Sequence, residues 1–222
     1  MFLFVGRVQP ESKGETGNGR KFDLTPQEYL IKTARESIAA KEAFLKNSAG
    51  LLVQAAQLIA ESIHKGGKVL IIGNGGSAAD AQHMAAEMVG RMLVERRPLP
   101  ALALTTDTSN LTAVANDFGY EKIFTKQIEA LAKKEDVVVA ISTSGKSKNV
   151  VSAVQMAQQM GCSVIGLTGG EGMPLKQHCT LCLCVEEGQN SSRIQETHIF
   201  AIHSMVDLVD RYYLDSKRDG QT

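Results

Sequence analysis

The sequence carries no surplus of charge, because its 24 lysines and arginines are matched by 24 aspartates and glutamates. Without a basic excess it lacks what neutralises nucleic-acid backbones or anionic membrane surfaces. Small molecules and copies of the chain itself are the expected partners, with no nucleic acid and no membrane. Long apolar runs are missing too. The start, Met1 to Val5, is broken by Gly6 and Arg7, and no run approaches the roughly 18 apolar residues that a membrane span needs. A soluble, cytoplasmic protein is expected. Cysteine is scarce, with four residues in all, and without a secretory signal these are expected to be reduced thiols. Three of them, Cys179, Cys182 and Cys184, form C-T-L-C-L-C, which invites a metal reading. A zinc ribbon needs a second cysteine pair that is absent here, whereas Thr180 to Val185 reads as a short buried strand with small thiols packed inside.

What is present is enough apolar residue, 43% of 222, to bury a sizeable core in one domain. Residues 1–24, with Gly6, Gly14, Gly17 and Gly19 among polar neighbours, predict a flexible extension. A single domain over 25–215 and a flexible tail over 216–222 follow. Thr25-Pro26 opens a helical pattern as cap and first helical residue, and a second helix is predicted from about Ala49 to His64, making an N-terminal helical hairpin. Strands are predicted at Lys68 to Ile72, Ala101 to Thr105, Val137 to Ser142, Ser163 to Thr168 and Thr180 to Val185, with helices between them and a last one over Asn190 to Leu214. The expected fold class is α/β, a doubly wound five-stranded parallel sheet flanked by helices. Ligands of such sheets bind outside the carboxyl ends of the strands.

Two loops at those ends stand out. Gly73-Asn74-Gly75-Gly76-Ser77-Ala78 follows the first strand and loosely meets a dinucleotide fingerprint. The acid that should hold a ribose at the end of the second strand is absent, because Asp107 comes too late. Free N–H groups at a helix start still suit an anion or sugar hydroxyl, and a plain tight turn is the alternative. The third strand runs into Ser142-Thr143-Ser144-Gly145-Lys146-Ser147, four hydroxyls around one glycine at a helix start, which can surround a phosphate. A Walker A loop would need glycine at Ala140, so ATP chemistry is excluded.

The S-T-S-G-x-S and N-G-G-S loops resemble the sugar isomerase (SIS) domain of phosphosugar-binding proteins, over roughly Tyr29 to Leu214. That resemblance implies the SIS fold, with Ser142, Thr143, Ser144 and Ser147 on the substrate phosphate and Asn74, Gly75 and Gly76 along the sugar. On the helix after the first loop, His83 and Glu87 share one face. On the terminal helix Gln195 and His203 are eight apart, within about 80° of each other around the axis. From spacing, these four make a possible zinc set or simply packing residues.

A closer resemblance is carried by N-G-G-S-A-A-D-A-Q-H-M-A-A-E (Asn74 to Glu87), A-N-D-F-G (Ala115 to Gly119), S-T-S-G-K-S (Ser142 to Ser147) and R-I-Q-E-T-H-I-F-A-I-H (Arg193 to His203). These strings are similar to the phosphoheptose isomerase family, which interconverts sedoheptulose 7-phosphate and D-glycero-D-manno-heptose 7-phosphate. The resemblance implies one Zn2+ (zinc) per subunit on His83, Glu87, Gln195 and His203, with Glu87 and His203 as the catalytic acid/base pair. It also implies substrate contacts from Glu87, Gln195, Asn116 and Asp117, a homotetramer with sites between subunits, and a place in surface polysaccharide (lipopolysaccharide) synthesis. Asn116-Asp117 reads equally as a turn with an Asx hydrogen bond. Arg91, four residues past Glu87, would orient that carboxylate or reach a neighbouring chain, or be a solvated surface charge. Some family members carry an acid where Ser192 stands, so a role for that acid does not transfer.

Two rivals remain. The chain also resembles the protein that binds the replication initiator DnaA, a non-catalytic relative lacking the equivalents of Glu87 and His203, both of which are present here. Other phosphosugar isomerases share the phosphate loop but not the R-I-Q-E-x-H signature.

Overall fold

The structure, a computed structural model, describes residues 24–188 and 190–219. The extension expected before Leu24 and the last three residues of the expected tail lie outside the described residues. Five strands, β1 (Val69–Gly73), β2 (Ala101–Ala103), β3 (Val137–Ser142), β4 (Ser163–Gly169) and β5 (Leu181–Val185), form one sheet in the order β2-β1-β3-β4-β5. Every pairing is parallel. The helices are α1 (Pro26–His64), α2 (Gly76–Val89), α3 (Thr108–Phe118), α4 (Thr125–Leu131), α5 (Lys148–Gln159) and α6 (Ser191–Asp219), with 3-10 turns at Tyr120–Lys122 and Leu175–His178.

The uninterrupted apolar runs of β1 and β3 follow from burial on both faces. Ile71, Val139 and Ile165 pack with α1, α2 and α6 on one side. Leu70, Val138 and Val164 pack with α4 and α5 on the other. On β5, Leu181, Leu183 and Val185 join the first core. The alternate Cys182 and Cys184 bring their sulfurs within 3.7 Å of each other. A hydrogen bond with Cys179, together with burial, pushes the Cys182 thiol up to about 12. Such a thiol is a reluctant thiolate. The strand reading of C-T-L-C-L-C therefore fits.

The expected N-terminal hairpin is corrected to one continuous helix, α1. Its start is as the sequence predicts: Glu28 N–H donates to Thr25 Oγ1 at 3.3 Å while Thr25 N–H donates to Glu28 Oε2 at 2.8 Å, a reciprocal cap with Pro26 just inside. Nothing breaks it near Asn47, because Gly50 sits in open space and Ser48 continues the buried stripe of Ala40, Phe44, Leu52, Ala55, Ile59 and Ile63. The first half of α1 instead leaves Tyr29, Leu30, Ile31 and Ile38 exposed. At the other end, α6 passes the boundary expected near 215 and continues to Asp219. Among the described residues, no helix is long and apolar enough to cross a membrane.

Candidate active site

The strand order reverses direction between β1 and β3: the chain leaves β1 for β2 on one side, then returns to add β3 on the other. The helices that follow these two strands consequently leave to opposite faces. α2 buries Ala81, Met84 and Met88 in one core, while α5 buries Val150, Ala153 and Val154 in the other. A crevice opens between the two loops at such a point. Both hydroxyl- and glycine-rich loops of the sequence lie there.

In the loop after β3, Ser142 is buried and its Oγ lies 3.2 Å from Ser147 Oγ. Ser147 caps α5 without a side-chain hydrogen bond to the helix, so its hydroxyl and the first-turn N–H groups remain available to an anion. Ser144 Oγ accepts from Lys146 N–H at 3.2 Å. Gly145 has φ +65°, and a Cβ there would sit 2.5 Å from Gly172 O, so the turn admits only glycine. Thr143, Ser144 and Lys146 line an open cavity of about 430 Å³ together with Gly169, Gly170 and Ile194.

The loop after β1 is held from two directions. A Cβ on Gly76 would come within 2.5 Å of Gln195 Nε2, so the absence of a side chain lets the α6 amide lie on the start of α2. Across the crevice, Asn74 Nδ2 donates to Asn149 Oδ1 at 2.9 Å and Asn149 Nδ2 donates to Asn74 Oδ1 at 2.8 Å. Tyr120 Oη also donates to Asn74 Oδ1, at 3.1 Å. Asn149 and Tyr120 were not singled out by sequence. Asn149 looks like any residue in a first helical turn, and its partner is 75 residues away.

Two turns further along α2, His83 Nε2 lies 3.3 Å from Glu87 Oε1 and 3.2 Å from His203 Nε2. The imidazoles meet edge to face, with centroids 5.0 Å apart. Glu87 Oε2 is buried without a partner. Three of the four expected ligands thus come together. Gln195 is set apart, on Gly76, about 12 Å along the helix axis from His203 by eight residues of rise. Among the described residues, no three His, Cys, Asp or Glu side chains form a closed metal cage; the donors form two pairs sharing His83. The donor chemistry nonetheless fits zinc. Bonds of about 2.0–2.1 Å in a tetrahedron set neighbouring donors about 3.3 Å apart, and one carboxylate oxygen here still lacks a partner.

Other expectations are met differently. Asn116 and Asp117 are exposed on the last turn of α3 and bond to each other at 2.8 Å. Arg91 does not continue the helical face of Glu87, because α2 ends at Val89 and Gly90 caps it. Arg91 is exposed, in keeping with its reading as a solvated surface charge, whereas Arg96 donates to the backbone carbonyls of Glu87, Met88 and Gly90 and, through Nε, to Asp210 Oδ1 of α6 at 2.7 Å. Ser192 is exposed, with its N–H on Asn190 Oδ1 at 3.0 Å. His198, in the signature string, is fully buried, its Nε2 3.2 Å from Thr168 O, and burial lowers its pKa from 6.5 to about 4. It is a neutral core residue.

The SIS domain family profile matches residues 34–169. Among curated relatives, the phosphoheptose isomerase of Campylobacter concisus is 53% identical over 167 residues, covering 75% of this chain and 88% of the relative. Among solved structures, a phosphoheptose isomerase from Neisseria gonorrhoeae superposes with a TM-score of 0.79 at 45% identity, covering 84% of this chain and all (100%) of its own. One from Francisella tularensis gives a TM-score of 0.81 at 37% identity, covering 85% of this chain and 100% of its own.

Proposed function

The chain belongs to the SIS-domain family and, within it, to the phosphoheptose isomerases, and from that premise we propose that it interconverts sedoheptulose 7-phosphate and D-glycero-D-manno-heptose 7-phosphate. The observation that carries the reading is the His83, Glu87 and His203 cluster on α2 and α6, alongside the crevice that holds the phosphate-type loop. No finding favours the initiator-binding alternative, and both residues which that relative lacks are part of the cluster.

An aldose–ketose isomerisation moves a proton between C1 and C2 through an enediol. It needs a base for the carbon proton, an acid for the oxygens and stabilisation of developing negative charge. Ser142, Thr143, Ser144 and Ser147, with the start of α5, hold the phosphate and so fix the far end of the sugar. Asn74, Gly75 and Gly76 lie along the chain of hydroxyls, with Asn116 and Asp117 at the rim. Glu87 takes the proton from one carbon and returns it to the other, and His203 moves the oxygen-bound proton. His83, Glu87 and His203 would hold zinc, with Gln195 as the expected fourth ligand. When bound, zinc supplies positive charge beside the sugar oxygens and so lowers the barrier to proton loss.

The exposed apolar side chains of α1, and an α3 in which no residue is buried, support assembly, since one subunit would otherwise show a large apolar surface. A homotetramer with sites between subunits is the proposed assembly. The proposed setting is the cytoplasm, in heptose supply for lipopolysaccharide or another surface polysaccharide.

The test is incubation of purified protein with sedoheptulose 7-phosphate, with and without a chelator, beside Glu87→Gln and His203→Ala. Turnover is expected in the zinc-loaded protein, reduced by about 10²–10⁴ in each variant. A zinc-loaded wild type that leaves the substrate unchanged sinks the proposal.

A further inference from the structure

The pairing of Asn74 with Asn149 has a fixed sense. An amide can be turned end for end, but Asn149 Oδ1 also receives the backbone N–H of Val150 at 3.0 Å, and a backbone N–H can only donate. The atom it meets must be the oxygen. The other amide atom of Asn149 is then the donor Nδ2, so the Asn74 atom it reaches at 2.8 Å must be the acceptor Oδ1. Tyr120 Oη, 3.1 Å from the same oxygen, must in turn donate to it. Both lone pairs of Asn74 Oδ1 are thereby filled, and one of its two Nδ2 protons is committed to Asn149. What remains is a single N–H.

We propose that Asn149 is a positioning residue which, with Tyr120, holds Asn74 in one orientation, so that Asn74 meets the substrate only as a hydrogen-bond donor. This rests on the phosphosugar isomerase reading and deepens it. The group recognised by Asn74 is an oxygen with a free lone pair, from a hydroxyl, carbonyl or phosphate of the sugar phosphate. A hydroxyl that must itself donate finds no acceptor there. The orientation is set at Val150 N–H, in the first turn of α5, the helix whose start faces the phosphate. The two loops across the crevice therefore share one hydrogen-bonded chain. Asn149 itself is 3% exposed, deep enough that water does not compete for its amide.

The test is a pair of double-mutant cycles on the zinc-loaded full-length protein, read as KM and kcat for sedoheptulose 7-phosphate. Asn149→Leu should raise KM about tenfold with little change in kcat, and Tyr120→Phe should raise it less. In an Asn74→Ala background neither should add anything, since both act through Asn74. Tyr120 is exposed, so its cycle decides the matter even where Asn149→Leu does not fold. Losses that multiply in the double variants overturn the proposal, as does an unchanged KM in Tyr120→Phe. A wild type without turnover overturns the isomerase reading, and this proposal with it. Turnover with multiplying losses overturns this proposal alone.

Discussion

His83 and His203 approach Nε2 to Nε2 at 3.2 Å across the seam between α2 and α6. Two imidazoles cannot both present a proton, or both a lone pair, along that line without repulsion. Either they share one proton or both turn their lone pairs to a cation lying off that line. The unpartnered Glu87 oxygen beside them is the further donor that the proposed zinc would use.

Elemental analysis should accordingly find about one zinc per subunit, and His83→Ala should lose most of it. A metal that binds only the folded chain stabilises it, so saturating zinc should raise the thermal midpoint of the wild type, by an amount that grows with the logarithm of free zinc. His83→Ala should show no such rise. An equal rise in both proteins would place the ion elsewhere.

Arg96 and Asp210 are each 1% exposed at the side chain and lie 2.7 Å apart. Removing one partner strands a buried charge, so Asp210→Ala should cost about 3–5 kcal/mol, seen as a lower urea midpoint. Arg96→Met should cost at least as much, since three carbonyls at the end of α2 lose their donor as well. A change below about 1 kcal/mol in either variant would show that water reaches the pair in solution.

His198 predicts an acid sensitivity with a definite sign. Burial lowers its folded pKa to about 4 from the ordinary 6.5, against a smaller opposing pull from Thr168 O. The unfolded chain therefore binds the proton more readily between those values, and stability rises with pH across that window. The contribution is complete above pH 6.5 and lost as pH falls toward 4, a difference of about 3 kcal/mol. In urea titrations from pH 7.5 to 5, His198→Leu should show a visibly shallower decline than the wild type. Parallel declines would mean that the imidazole takes up its proton as readily in the fold as in the unfolded chain.

Much of the fold was legible because burial on both sheet faces writes itself as apolar runs, as in Val137 to Ile141. The Thr25-Pro26 start was legible because a cap is a local event. The hairpin was misread because Asn47-Ser48-Ala49-Gly50 looks like a turn by composition, while the burial of Phe44, Ser48 and Leu52 that keeps it helical is tertiary. Placing Arg91 one turn past Glu87 carries helical spacing beyond Gly90, where the helix stops. The site was legible wherever each member sits inside a short string, as with His83 and Glu87. The Asn74, Tyr120 and Asn149 contacts join three distant segments, and no local pattern announces them.

Three contacts mark successive levels of the seam between α2 and α6. Gly76 meets Gln195, His83 meets His203, and the Arg96-capped end of α2 reaches Asp210. The levels are seven residues apart on α2, and eight then seven on α6, so the helices run side by side in a common direction. One residue inserted into or deleted from either helix would turn everything beyond it by about 100° and shift it by about 1.5 Å. Loop contact, histidine pair and buried ion pair could not all be restored by repacking. Substitutions can accumulate on the outer faces of both helices, but the number of residues from Gly76 to Gly90 and from Gln195 to Asp210 is not free to drift.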